Sequence, residues 1–328
     1  MSVSEESRPK IAVLVPCYNE AATVEKVVKD FRRELPEAVV YACDHNSSDG
    51  TADLARAEGE VVKHEKKQGK GHVVAAMLEK VVADFYVMTD GDDTYPADRV
   101  RDLLAPVIGG EADMVVGKRE AQDAQAAYRR FHVLGNQLVR TMVNQIFRAR
   151  LTDIMSGYRA FNREIADNLP VCAYGFDIET EMTVQCLYPK WVIKEVPIGY
   201  GVRPEGSASK LNTFQDGLRV IFKILSLFRS YKPLTFFGGM AILLFLAACG
   251  FGAAVYWGSW PPDSGYRMTL MVLAATMLAM SLVAASIGVT VQRINFRFLE
   301  LDSLLRRRRQ EGQPHSGRMT SEPPGGSR

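Results

Sequence analysis

"FYVMTDGDDTYPAD", Phe85 to Asp98, sets an apolar run, Phe85 to Met88, directly against Asp90, Asp92 and Asp93. A four-residue apolar run ending in turn formers reads as the tip of a buried strand. Carboxylates crowded at such a tip repel one another unless a positive group sits among them. If the strand stays extended, Asp90 and Asp92 project to one side and Asp93 to the other, because side chains alternate with period two. A carboxylate pair of that kind is a site for a hard divalent cation such as Mg²⁺ or Mn²⁺, with open positions for phosphate oxygens. The plainer reading is a capped turn, which suits Asp93 and Asp98.

Outward from this stretch the chain alternates. "IAVLV" from Ile11 reads as a strand buried on both faces. Val24, Val27, Val28, Phe31 and Leu35 follow at helical spacing. "AVVYAC" is a second strand, Thr51 to Ala57 a helix, and "GKGHVVAAMLEKVVA" opens a third helical segment. After the acidic stretch come helical "DRVRDLLAPVI" and strand-like "ADMVVGKR". Alternating β and α segments with continuous apolar strands predict an α/β fold, a parallel sheet with helices on both faces. Ligands of such sheets bind at the carboxyl ends of the strands. The polar clusters "PCYNE", "DHNSSDGT" and "DGDDTYP" fall at those ends. Further on, Ala126 to Ala149 reads as a long helix, "DIETEMTVQCL" as another and "WVIKEVPIGY" as a strand.

The last third differs in kind. Leu234–Trp257 and Met268–Val291 contain no charged residue. Each makes a helix of roughly 36 Å, enough to cross a hydrocarbon core of about 30 Å. Residues 213–232 carry Leu218, Ile221, Ile224, Leu225 and Phe228 on one stripe, with Arg219, Lys223 and Arg229 off it. That pattern predicts an amphipathic helix lying in the membrane interface. Lys223, Arg229 and Lys232 precede the first span. Arg293, Arg297 and Arg306 to Arg309 follow the second, while the loop between holds only Arg267 and Asp263. The positive-inside rule then places the globular part and both termini in the cytoplasm. Residues 1–10 are polar and read as a flexible leader with no signal peptide, and 293–328 as a basic tail, disordered from Gln310. Glycines 238, 239 and 250 leave room for close helix approach, hence for a homo-oligomer. A net charge of +2 gives no field for nucleic acid. Five cysteines without CxxC spacing fit a reducing compartment and no zinc site.

Two chemistries fit the acidic stretch. "YVMTDGDDT" matches the DxDxT element of haloacid dehalogenase-type phosphohydrolases, in which Asp90 would be the nucleophile. That family needs a later Lys and a paired-Asp strand end, and "VPCYNE" and "DHNSSDGT" stay unexplained. The other chemistry is sugar-nucleotide transfer. "VPCYNE", "CDHNSSDGT", "GKG" and "DGDD" stand in the order of the inverting family 2 glycosyltransferases, which the chain resembles from about Ile11 onward. "DIMSGYRAFN", "GFDIETEM" and "RPEGSASKLNTFQDGLRV", followed by two spans, look like the polyprenyl-phosphate (dolichyl-phosphate) sugar transferases of that group. The resemblance implies a Rossmann-like GT-A catalytic domain over 11–212. It implies a nucleoside pocket lined by Pro16, Tyr18 and Glu20, with Asp44 on base or ribose and Lys70 near phosphate. Asp90 and Asp92 would grip metal and diphosphate. Arg119, Arg159, Arg203 and Lys210 would stand near the acceptor phosphate or the diphosphate, where Arg makes bidentate contacts. Family members often have Gln where Thr94 stands, so the role of Thr94 is open. The implied substrates are a UDP- or GDP-linked sugar and a polyprenyl phosphate. A processive polysaccharide synthase shares the nucleotide site, but its "QxxRW" element and extra spans are missing.

Overall fold

The computed structural model describes residues 9–57, 63–64, 69–120, 129–169, 178–201, 222, 225–226, 228–258, 261 and 265–311. It divides into two compact units, 1–227 and 228–328.

The first unit is built on a seven-stranded sheet. Its strands are β1 (Ile11–Cys17), β2 (Ala38–Asp44), β3 (Lys63–His64), β4 (Phe85–Met88), β5 (Met114–Glu120), β6 (Arg159–Asn162) and β7 (Ile193–Gly199). Their order across the sheet is β3-β2-β1-β4-β6-β5-β7. β1 pairs in parallel with β2 and β4, β2 with β3, and β5 with β7. β6 runs antiparallel to both its neighbours, β4 and β5. The sheet is therefore mixed, mostly parallel as the sequence predicts. The antiparallel strand β6, between β4 and β5, was not anticipated: "RAFN" is short and carries polar residues at both its ends, and its partners are far away in sequence.

Helices α1 (Val24–Glu34), α2 (Thr51–Ala57), α3 (Lys70–Lys80), α4 (Val100–Ile108), α5 (Arg129–Phe147), α6 (Arg163–Asn168) and α7 (Ile178–Leu187) complete the unit. Alternation along β1 sends Ile11, Val13 and Val15 into one buried cluster with Val24, Val28, Phe31, Leu103 and Val107 of α1 and α4. Ala12 and Leu14 join the opposite cluster with Val73, Val74 and Met77 of α3, Ile165 of α6, and Ile178 and Met182 of α7. Burial on both faces explains why "IAVLV" is apolar without a break. Each such Val or Leu contributes roughly 1.5–3 kcal/mol. Of the expected leader, Pro9 and Lys10 are described, and Lys10 donates its N–H to Asp84 at 2.8 Å.

The second unit is a hairpin of α8 (Pro233–Trp257) and α9 (Gly265–Glu311). Its apolar windows have mean hydropathy 2.2, and only 11% of each is buried. A core helix of a water-soluble protein would be covered, so these helices are long, apolar and bare enough to cross a membrane. Ser281 donates to the Ala241 carbonyl at 2.8 Å, and a Cβ on Gly288 would lie 3.0 Å from Phe237 Cβ. The sequence ends the second span at Val291, whereas α9 continues to Glu311. From Val289 to Glu311 the chain has no Gly or Pro to stop a helix. Of the expected interface helix, only 222, 225–226 and 228–232 are described; the remainder of that expectation lies outside the described residues.

Candidate active site

The carboxyl ends of β1, β2 and β4 gather the predicted polar clusters. The turns that leave these strands place Asn19, Asn46 and Asp93 at φ of 52°, 61° and 58°. Asn and Asp tolerate this left-handed region because their short polar side chains bond locally. Ser48 donates its N–H to Asn19 Oδ1 at 2.9 Å, and Ser47 donates its N–H to Asp44 Oδ2 at 3.3 Å. Asp49 accepts from the Thr51 hydroxyl at 2.5 Å and from the Ala21 N–H at 3.0 Å, so it orders its own loop. Pro16 pairs with Cys43 in the β1–β2 register, and the Glu20 N–H donates to Thr51. The Tyr18 ring stacks on His45 with centroids 4.7 Å apart, beside buried Asp44. His45 is a member of this platform that sequence reasoning missed.

β4 ends at Met88 and the chain turns at Gly91 and Asp92. The alternation expected to put Asp90 and Asp92 on one side therefore stops short of them, because the strand has ended before either is reached. Asp92 is 1% exposed. It accepts from the Thr94 hydroxyl at 2.6 Å and the Thr94 N–H at 3.2 Å, which gives Thr94 a place: it orders Asp92. Asp93 accepts from Lys26 at 2.7 Å, outside the cluster.

Lys70, the first residue of α3, is the positive group among the carboxylates. Its Nζ lies 2.5 Å from Asp90 Oδ1 and 2.5 Å from Glu179 Oε1. Burial disfavours the ammonium, but the charges of Asp90 and Glu179 outweigh it and raise the Lys70 pKa. Glu179 comes from α7, where every residue from Ile178 to Cys186 is buried. The sequence shows only Glu179 and Glu181 in "IETEMTVQCL"; that both are buried emerges with the fold.

The carboxylate of Asp90 lies against Gly157. A Cβ there would meet Asp90 Oδ2 at 2.9 Å and Oδ1 at 3.0 Å. Gly157 is held by its N–H, which donates to the Tyr95 hydroxyl at 2.8 Å. Burial first, then Asp90, pushes the Tyr95 hydroxyl up, so it stays protonated. Among the described residues no three acidic, His or Cys side chains are grouped to hold a metal. One or two carboxylates in a cradle kept open by a glycine still fit Mg²⁺ or Mn²⁺, which take further ligands from phosphate and water.

The basic residues divide. Arg119, at the end of β5, donates to both oxygens of Asp153 at 2.7 and 2.9 Å and lies 5.4 Å from the Tyr200 ring centroid. Arg159 departs from expectation. It is 0% exposed, and it donates to the carbonyls of Ser156 and Ile154 and to Thr183, each at 2.9 Å. It braces the 154–156 loop instead of facing a phosphate, because burial and these carbonyls take its guanidinium. Arg203 and Lys210 lie outside the described residues.

Comparison with known proteins agrees with this geometry. The model of glycosyl transferase family 2 matches residues 12–169. Over 247 residues the chain is 35% identical to glycosyltransferase AglJ of Haloferax volcanii, covering 75% of this chain and 80% of the relative. It is 27% identical over 218 residues to a dolichyl-phosphate hexose transferase of the same organism, covering 66% of this chain and 93% of the relative. The fold is similar to that of glucosyl-3-phosphoglycerate synthase of Mycobacterium tuberculosis, solved with Mn²⁺ and UDP-glucose. The TM-score is 0.54 at 22% identity, covering 67% of this chain and 79% of that one. With its strand-end clusters on a mixed GT-A-like sheet, the chain belongs to glycosyl transferase family 2 and is a glycosyltransferase.

Proposed function

We propose that the enzyme transfers a sugar from a UDP- or GDP-linked donor to a polyprenyl phosphate, with inversion, at the cytoplasmic membrane face. One observation carries the reading: the acidic and cationic cluster of Asp90, Lys70 and Glu179, with buried Asp92 two residues on from Asp90, occurs in a chain that also holds a membrane-length hairpin. The relative named dolichyl-phosphate hexose transferase supports the acceptor. The neighbour solved with Mn²⁺ and UDP-glucose supports the donor class and the cation. Basic flanks on both helices and a loop with only Arg267 and Asp263 support the orientation.

In this reading the Tyr18–His45 platform receives the base and Asp44 the ribose. Lys70 faces the diphosphate, with Arg203 and Lys210 placed by sequence beside phosphate. An acceptor phosphate oxygen attacks the anomeric carbon as the bond to the donor's diphosphate breaks, and the nucleoside diphosphate leaves with the electron pair. The acceptor is already anionic near neutral pH, so no residue has to remove a proton from it. Catalysis then rests on positioning and on charge placed around the leaving group. A divalent cation held at Asp90 and Asp92 would neutralise charge on that leaving diphosphate.

The test is transfer by the full chain in detergent, with polyprenyl phosphate, Mg²⁺ or Mn²⁺, and labelled sugar nucleotides supplied singly. Label should enter the organic phase from one donor, as the β-anomer from an α-linked donor. It should vanish with chelator and fall on the order of 10²-fold or more in Asp92→Asn. Full activity in that variant, or no label from any donor, would sink the proposal.

A further inference from the structure

Lys70 occupies one of the two Asp90 oxygens that a cation would share. Asp90 Oδ1 is taken by Lys70 Nζ, while the rest of the carboxylate packs against Gly157. The Lys70 side chain is 12% exposed and that of Glu179 8%, so water screens their contact poorly, while Asp90, at 26%, stays partly open to solvent and to an arriving ion. Glu179 reaches this point from α7, more than a hundred residues along the chain. Gly69, at φ +124°, sets the turn that starts α3 at Lys70.

We infer that Lys70 is a resident counter-cation which competes with the divalent ion for Asp90. The ion then binds together with a nucleoside diphosphate and only weakly without one. This rests on the reading above, in which Asp90 is a metal ligand. A divalent ion approaching Asp90 alone meets an ammonium already on Oδ1, and the like charges oppose each other across a site only partly open to water. An arriving diphosphate changes the balance. Its oxygens offer Lys70 new anionic partners, and the flexible four-carbon stem lets the ammonium leave Oδ1. Glu179 is the positioning residue. It keeps hold of Lys70 during the exchange, so the ammonium moves within the site instead of swinging out. The arrangement couples cation and donor binding, and such coupling is reciprocal.

The experiment reads Mn²⁺ uptake by the full chain in detergent, from the electron paramagnetic resonance signal of free Mn²⁺. Titrations are run with Mn²⁺ alone and with UDP or GDP, corrected for Mn²⁺ bound by nucleotide. The parent chain should bind Mn²⁺ weakly alone and about 10-fold or more tightly with the matching nucleotide. Lys70→Met should bind Mn²⁺ alone about 10-fold or more tightly than the parent, with the nucleotide effect reduced. Lys70→Arg, which keeps the positive charge, should bind Mn²⁺ alone no more tightly than the parent. Lys70→Gln, which keeps a hydrogen-bonding side chain without the charge, serves if Lys70→Met does not fold. Unchanged Mn²⁺ affinity in the neutral variants, with nucleotide-promoted binding intact in the parent, would overturn the inference and leave the metal reading standing. No Mn²⁺ uptake by the parent even with nucleotide would overturn both.

Discussion

The hydrogen on the Cα of Gly157 decides where the Asp90 carboxylate can lie. Replacing it with a methyl puts carbon 2.9 Å from Oδ2 and 3.0 Å from Oδ1, so the carboxylate has to shift. The Gly157 N–H donates to the Tyr95 hydroxyl, which ties the loop in place. Gly157→Ala should therefore cost roughly 1–3 kcal/mol of stability through overpacking. Transfer should fall on the order of 10²-fold through misplacement of Asp90. Thermal unfolding and initial rates on the same preparation check both numbers; a parental rate would show that Asp90 tolerates the shift. The carboxylates were legible because polar residues at the tip of an apolar strand have few structural reasons to be there. The role of Gly157 was not, since a glycine in "DIMSGYRAFN" reads as a turn until its neighbour in space is known. Arg159 misled for a related reason. An arginine among apolar residues needs anionic or carbonyl oxygens, and the sequence does not say whether those belong to a ligand or to its own loop.

At the scale of elements, the Arg119–Asp153 pair clamps the end of β5 to the segment that leads into β6. Burial alone would raise the Asp153 pKa; its bonds to Arg119 outweigh this and hold it below the usual carboxylate range. A depressed folded-state pKa gives stability that is present above the unfolded value of about 3.9 and is lost as pH falls through the folded one. The melting temperature of the parent should thus exceed that of Asp153→Asn by its full margin above about pH 5, and the two should converge below about pH 4. Parallel pH series of thermal unfolding measure this, and a constant margin down to pH 3 would refute it. Helices α1 and α3 and strands β1, β2 and β4 were readable from periodicity and unbroken apolar runs. β3, two residues long, offers no period to read. β6 is ordered by pairing with both neighbours, and strand direction leaves no trace in composition.

For the whole molecule, the second unit makes a prediction independent of catalysis. Cys249 lies exposed on α8, while Cys17, Cys43 and Cys186 are buried. If α8 crosses a bilayer, a water-soluble maleimide should label parent and Cys249→Ser chains equally in intact membranes. The difference should appear only after denaturation in detergent, and alkaline carbonate should leave the chain in the membrane pellet. Labelling of Cys249 in sealed membranes would refute the span. The place of β6 between β4 and β5 also bears on how the chain is made. Synthesis delivers β4 and β5 well before Arg159–Asn162, the strand that must lie between them. A ribosome that pauses before that point holds one strand with an open flank and another with no partner, the edges on which chains snag one another. Emergence of Arg159–Asn162 joins them, and only afterwards does Pro233 begin the helix long and apolar enough to cross a membrane.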